Sequence, residues 1–156
     1  MASEDDMLAL DNQLCFALYA ANRAVTARYR PLLAELNLTY PQYLVMLVLW
    51  EAGQEGTTVR VSDLGKRLRL DSGTLTPLLK RLAERDLVTR LRDTSDERVV
   101  TVAPTEKGIA MRQRARDIPG RLLCGTGIDQ ERIVALREEL RSVLSLLEAQ
   151  GEPSDR

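Results

Sequence analysis

Apolar residues recur at Leu14, Leu18, Ala21 and Val25, in steps of four, three and four, which predicts one face of a helix over residues 8–30. Pro31 bends or interrupts that helix, and "PLLAEL" adds a turn or two before Asn37 ends it. In "LTYPQ", Thr39 and Gln42 have the spacing of a capping box. Pro41 falls in the first turn, where its missing N–H costs nothing. The second helix that starts there, "YLVMLVLW", is apolar on nearly every side and is predicted to be central and buried. "EAGQEGTT" reads as a loop. A short helix over 62–68, capped by Ser62, leads through "RLDS" to a longer helix over 72–85. The stripe of that longer helix is Leu75, Leu78, Leu79, Leu82 and Ala83, and Pro77 should bend it slightly. "LVTRLR" and "RVVTVA" around the polar "DTSDE" read as a hairpin. A helix resumes after "PTEKG", Pro119-Gly120 interrupts it, and "CGTGID" is a flexible loop. The last helix carries Ile133, Leu136, Leu140, Val143 and Leu147, a seam for another helix, before the frayed tail "GEPSDR". The fold class is mainly α with a small β-hairpin wing, without internal repeats or a linker long enough to divide domains.

Short helix, tight turn, longer helix, hairpin is the order of a winged helix-turn-helix. In that fold the second helix enters the major groove of DNA and the wing reaches a neighbouring groove. Gly73, Pro77, Lys80 and Glu84 lie opposite the leucine stripe, flanked by Thr74, Thr76 and Arg81. Ser72, Thr74 and Thr76 offer small hydroxyls to bases or phosphates, and Lys80 and Arg81 suit phosphate oxygens. A merely solvated face with Ser/Thr caps has the same pattern. The hairpin adds what that plainer reading does not need. Arg90, Arg92 and Arg98 flank its turn at 93–97, and Asp96 is placed to hold the Arg98 guanidinium in a fixed fork.

Composition sharpens this picture. The 156 residues fit one domain, or one core with an appended dimerisation region, and the charged share of 29% with no long apolar run excludes a membrane span. The acidic opening "MASEDDML" is neither a secretory signal nor a transit peptide, so a cytoplasmic protein is expected. A net charge of −1 disfavours nucleic acid at first sight. Residues 60–98, however, hold ten Lys/Arg against seven Asp/Glu, while the first fifty residues have a net charge of −2. Histidine is absent and the two cysteines stand 109 positions apart, which excludes a zinc knuckle, a catalytic triad and a Cys–His dyad. No metal, no cofactor and no enzymatic activity are expected. On this count alone the thiols are either buried structural residues or a redox pair.

The strings "LDSGTLTPLLKRLAERDLVTR…DERVV", "LTYPQYL" and "NQLCFALYA" resemble the MarR family over nearly the whole chain. Within that family they are similar to the organic hydroperoxide resistance regulators, with Cys15 in "NQLCF" the most specific element. The resemblance implies a homodimer whose helices over 8–36 and 105–150 form the dimerisation region, with a winged helix-turn-helix over 39–103. It implies repression of a peroxidase gene from a palindromic double-stranded DNA operator, with an organic hydroperoxide as inducer. It implies that Cys15 senses peroxide, that Tyr29 and Tyr40 hydrogen-bond its sulfur across the dimer, and that Tyr19 is a further aromatic of that site. Asp71, Ser72, Thr74, Thr76, Lys80 and Arg81 match the DNA-reading helix, and Arg90, Asp96 and Arg98 match the wing. Cys124 resembles the second cysteine of a two-cysteine subclass, which joins the oxidised sensor in an intersubunit disulfide. Pro104 departs from the family, which has leucine there, with no functional consequence expected.

The chemistry is coherent. Peroxide reacts with thiolate, and without histidine the available stabilisers are tyrosine hydroxyls and helix N-terminal dipoles. Phe16 and the apolar second helix suit an alkyl peroxide. Two recognition helices must sit about 34–36 Å apart to fit successive major grooves, so a disulfide that moves helices changes the fit. The rival expectations are a MarR-type repressor released by a non-covalent ligand such as a phenolic acid, a thiol peroxidase, and a purely structural helical dimer. Against the peroxidase stands the lack of a Cys-x-x-Cys motif and of a parallel βαβ core.

Overall fold

The computed structural model describes residues 4–151, which fall into two units that divide between Leu122 and Leu123. The first unit opens with α1 (Glu4–Met7), a 3-10 turn (Leu10–Asn12) and the long α2 (Leu14–Ala34). The chain over 8–13 is not a continuous start of α2, contrary to the periodicity. Its side-chain amides bond backbone carbonyls instead, Gln13 Nε2 donating to Met7 O at 2.6 Å and Asn12 Nδ2 to Asp6 O at 2.7 Å. α2 then runs through Pro31 to Ala34. Its end is closed by Leu38 N donating to Leu33 O, with Asn37 in the left-handed region at φ 53°.

The expected capping box starts α3 (Tyr40–Gln54). Gln42 N donates to Thr39 Oγ1 at 3.3 Å and Thr39 N to Gln42 Oε1 at 3.0 Å. Tyr43, Val45, Met46, Leu49 and Trp50 of α3 are buried at the centre of the unit, and the helix extends to Gln54, through part of the segment read as loop. The chain next forms β1 (Val59–Arg60), α4 (Val61–Leu68) and α5 (Ser72–Glu84). Ser62 does not cap α4. The chain passes straight from β1 into the helix, so Arg60 takes the cap position without a side-chain bond. Leu75, Leu79 and Leu82 of α5 are buried as the stripe requires. The α4–α5 turn needs Gly65, where a Cβ would stand 2.9 Å from the Leu70 carbonyl oxygen.

β2 (Val88–Arg92) and β3 (Val100–Pro104) form the expected hairpin, and β1 joins as a third antiparallel strand in the order β1-β3-β2. The pairing sets Arg60 opposite Thr101 and Arg90 opposite Val102. α6 (Glu106–Ala115) starts inside "PTEKG" rather than after it, because Thr105 Oγ1 accepts from Gly108 N at 3.0 Å. Gly108 is packed so closely that a Cβ would lie 2.1 Å from the Leu87 carbonyl oxygen, and its own carbonyl accepts from buried Trp50 Nε1 at 2.8 Å. Pro119 and Gly120 do not break a helix. They lie in the first turn of α7 (Ile118–Leu123), where proline is tolerated, and the break falls at 116–117.

The second unit is the loop 124–129 and α8 (Gln130–Gly151). Gly125 and Gly127 have φ of 75° and 70°, and Asp129 Oδ1 accepts from Arg132 N at 2.7 Å at the start of α8. α8 buries none of its side chains, and Leu136, Leu140, Leu146 and Leu147 are exposed. Most of the "GEPSDR" tail lies outside the described residues. No described helix is long and apolar enough to cross a membrane.

Candidate nucleic-acid interface and thiol site

α5, the candidate reading helix, is fixed at both ends. Asp71, matched above to the DNA-reading positions, is the N-cap of α5, its Oδ1 accepting from Thr74 N at 2.7 Å. Ser72, Thr74, Thr76, Lys80 and Arg81 are all exposed, Ser72 in the first turn, Lys80 opposite the buried leucines and Thr74, Thr76 and Arg81 flanking that outer face. At the other end Arg85 donates from its guanidinium to Leu36 O at 3.1 Å and to Asn37 O, while its own carbonyl accepts from Lys107 Nζ at 3.1 Å.

The wing turn is organised by carboxylates. Asp93 Oδ1 accepts from Ser95 N and Oγ and from Asp96 N, and these bonds, the Ser95 hydroxyl first, hold its carboxyl below the usual range. Asp96 grips Arg98 as the sequence suggested, with Nε to Oδ1 at 3.1 Å and Nη2 to Oδ2 at 3.4 Å. The Arg98 side chain is nonetheless 91% exposed, so its charge faces outward from a held position. Arg90 pairs with Val102 and Arg92 with Val100, placing both arginines on the sheet face of the buried Val88 and Val102. Arg60 was missed by sequence reasoning. It reaches the base of the wing through β1 pairing and is one of the charges that lower Asp93.

The thiol site divides along α2. Cys15, at its start, is an exposed thiol among the exposed Leu14, Phe16, Leu18 and Tyr19. Arg23 Nη1 donates to the Tyr19 hydroxyl at 3.1 Å and lies over its ring, 5.6 Å from the centroid. Tyr29 and Tyr40 come together at the far end of the same helix, ring centroids 5.0 Å apart, with Tyr43 packed 5.6 Å from Tyr29. Burial, and secondarily the neighbouring Tyr43 and Tyr40 hydroxyls, push the Tyr29 phenol up to about 12, and burial also raises Tyr40 and Tyr43. Tyr43, three residues after Tyr40, is the member of this cluster that the sequence reading left out. Fourteen residues of helix separate Cys15 from Tyr29, about 21 Å of axial rise, so a thiol and this tyrosine cluster of one protomer do not meet. Cys124 is also an exposed thiol, at the start of the loop that precedes α8. Among the described residues, no group of His, Cys, Asp or Glu forms a metal site.

The profile of the SarA/Rot family of transcriptional regulators matches residues 27–114. The organic hydroperoxide resistance transcriptional regulator of Bacillus subtilis is 45% identical over 147 residues, covering 94% of this chain and 97% of that protein. Among solved structures, reduced AbfR bound to DNA superposes with a TM-score of 0.78 at 33% identity, covering 94% of this chain and 99% of that one. The disulfide-formed AbfR superposes with a TM-score of 0.65 at 32% identity, covering 93% and 97%; another AbfR structure identifies the protein as that of Staphylococcus epidermidis. The winged helix-turn-helix and this likeness along nearly the full length place the chain in the MarR family of transcriptional regulators, among the organic hydroperoxide resistance regulators.

Proposed function

We propose that the protein is a peroxide-sensing transcriptional repressor that acts as a cytoplasmic homodimer, without being an enzyme. One observation carries this reading: an exposed thiol stands at one end of α2, and at its other end the half-buried Tyr29 meets the half-buried Tyr40 of α3. Cys15 and Tyr29 lie on nearly the same face, since fourteen residues at about 100° each return within about 40° of the starting direction. A two-fold axis near Asn22, midway between positions 15 and 29, would bring Cys15 of one protomer beside the partner's Tyr29 and Tyr40. Tyr19, Asn22 and Thr26 lie along that face between the two ends. The exposed apolar side chains of α2 and α8 would be covered in such a dimer.

In this arrangement Tyr29 and Tyr40 donate hydrogen bonds to the partner's thiolate. A phenol is already protonated at neutral pH, and burial moves both of these further from ionisation. The Cys15 thiolate attacks the terminal oxygen of an organic hydroperoxide, the O–O bond breaks, and the alkoxide leaves as alcohol after taking a proton. The product is Cys15 sulfenic acid. Cys124 of the partner subunit then condenses with it, forming the S–S bond and releasing water. Joining the protomers in this way resets the spacing of the two α5 helices and releases an operator read by Ser72, Thr74, Thr76, Lys80 and Arg81, with the wing arginines on the backbone. Asp71 serves by capping the reading helix.

Replacing Cys15 by Ser tests this reading. The expected C15S dimer binds operator DNA within about twofold of the wild type, and an alkyl hydroperoxide no longer releases it. Release that persists in C15S would instead favour a non-covalent inducer.

A further inference from the structure

The turn that joins α2 to α3 and the C-terminal end of α5 face each other across a cleft of about 700 Å³, bordered by Arg30, Tyr40, Arg81, Glu84 and Arg85. One side chain crosses it. The Arg85 guanidinium donates to Leu36 O and Asn37 O, backbone carbonyls just past the end of α2. Such carbonyls have no helical partner, and a planar guanidinium with two parallel donors fits them as a short ammonium does not. Three residues after Asn37 the chain reaches Tyr40, and Asn37 itself is held at φ 53°. Arg85 is the C-cap residue of α5. Its carbonyl is gripped by Lys107, and the next carbonyl, of Asp86, by Thr105 Oγ1. The reading helix thus ends in a residue whose backbone is anchored to the start of α6 and whose side chain is anchored to the tyrosine corner.

We infer that Arg85 is a positioning residue that couples the tyrosine corner to the reading helix, so that a change at Tyr29 and Tyr40 is transmitted to α5 through the Leu36 and Asn37 carbonyls. This rests on the peroxide-sensing reading above. When the corner moves, two hydrogen bonds of fixed geometry must either break or carry the end of α5 with them. The packing of Leu75, Leu79 and Leu82 makes α5 follow as a unit.

The test compares wild type, R85Q and R85K as full-length dimers. Glutamine is two bonds too short to reach the carbonyls, and lysine keeps a long donor without the fork. Each is assayed for Cys15 oxidation by cumene hydroperoxide, followed by mass spectrometry, and for operator affinity before and after complete oxidation. R85Q should oxidise at a rate within about twofold of wild type while the ratio of oxidised to reduced Kd falls about tenfold, a factor worth roughly 1.4 kcal/mol of coupling. R85K should fall between the two. A wild-type ratio preserved in R85Q overturns the role of Arg85 and leaves the sensing reading intact. R85Q that does not fold, together with R85K at the wild-type ratio, also overturns it, since Arg85 is then a stability residue. A wild-type ratio near one removes the sensing reading itself, and the coupling with it.

Discussion

Tyr29 is kept as a neutral phenol by the company it keeps. Its ring is packed between Tyr40 and Tyr43, and loss of water around the hydroxyl, more than the neighbouring phenols, lifts its pKa from 10 to about 12. The sign of the linkage follows. Below pH 10 both folded and unfolded chains carry the proton, and the contribution to stability is complete. As pH rises from 10 to about 12 the unfolded chain loses a proton that the folded chain keeps, so stability falls. Phenolate absorbance in the native protein should therefore include a late-titrating tyrosine that disappears in Y29F, and denaturant midpoints should fall more steeply above pH 10 in wild type than in Y29F. Equal titration curves for the two proteins would show that Tyr29 is not shielded. Glu35 lies at the opposite extreme: the bidentate Arg121 guanidinium, at 2.7 and 2.8 Å, holds its carboxyl below the usual range, yet the pair is exposed and adds little to stability.

The wing, as an element, turns three arginines into a surface with direction. β2 alternation places Arg90 and Arg92 on one face, and the Asp96 carboxylate holds Arg98 rather than leaving it to sweep freely. Removing Arg98 should lower operator affinity and reduce the slope of log K against log salt by about 0.9, as expected for one lost phosphate contact. D96N, which keeps the arginine but weakens the fork, should leave the slope unchanged and reduce affinity less. An unchanged slope in R98A would place Arg98 off the DNA. The fork was legible in the sequence because the two residues are neighbours, as were the capping box of α3 and the stripe of α5, which depend on spacing within one helix. β1 was not. Two residues are too few to show alternation, and their strand character comes only from pairing with β3. Ser62 failed as a cap for the same reason, since β1 delivers Arg60 to that position. Asn12 and Gln13 look compatible with a helix beginning at 8, but their amides bond back to Asp6 and Met7 and delay it to Leu14. Gly65 and Gly108 are loop-like by composition, and only the closeness of Leu70 and Leu87 explains why each must lack a side chain.

At the scale of the whole molecule, the proposed mechanism gives the two cysteines different tasks, and the difference can be measured. Cys15 belongs to the long helix that carries the tyrosine cluster at its other end, whereas Cys124 begins a loop in which Gly125 and Gly127 adopt left-handed backbone. A loop with two such residues can rearrange at less cost than a helix can, so it suits a thiol that must travel to a sulfenic acid held on α2. A disulfide requires Cα atoms about 4.4–6.8 Å apart, a narrow condition that the loop must satisfy without unwinding α2. Cys124→Ser should then separate sensing from locking. Its Cys15 should still react with an alkyl hydroperoxide at close to the wild-type rate, because attack needs only Cys15 and the tyrosines. The product should remain a sulfenic acid that excess peroxide carries on to the sulfinic state, and non-reducing gels should lose the covalent dimer that wild type forms. Operator release by the variant should be incomplete at stoichiometric peroxide, since a sulfenic acid by itself does not pull the protomers into a new spacing. Full release by C124S at one equivalent, without further oxidation, would mean that the sulfenic acid alone drives the change and that the second cysteine only protects it.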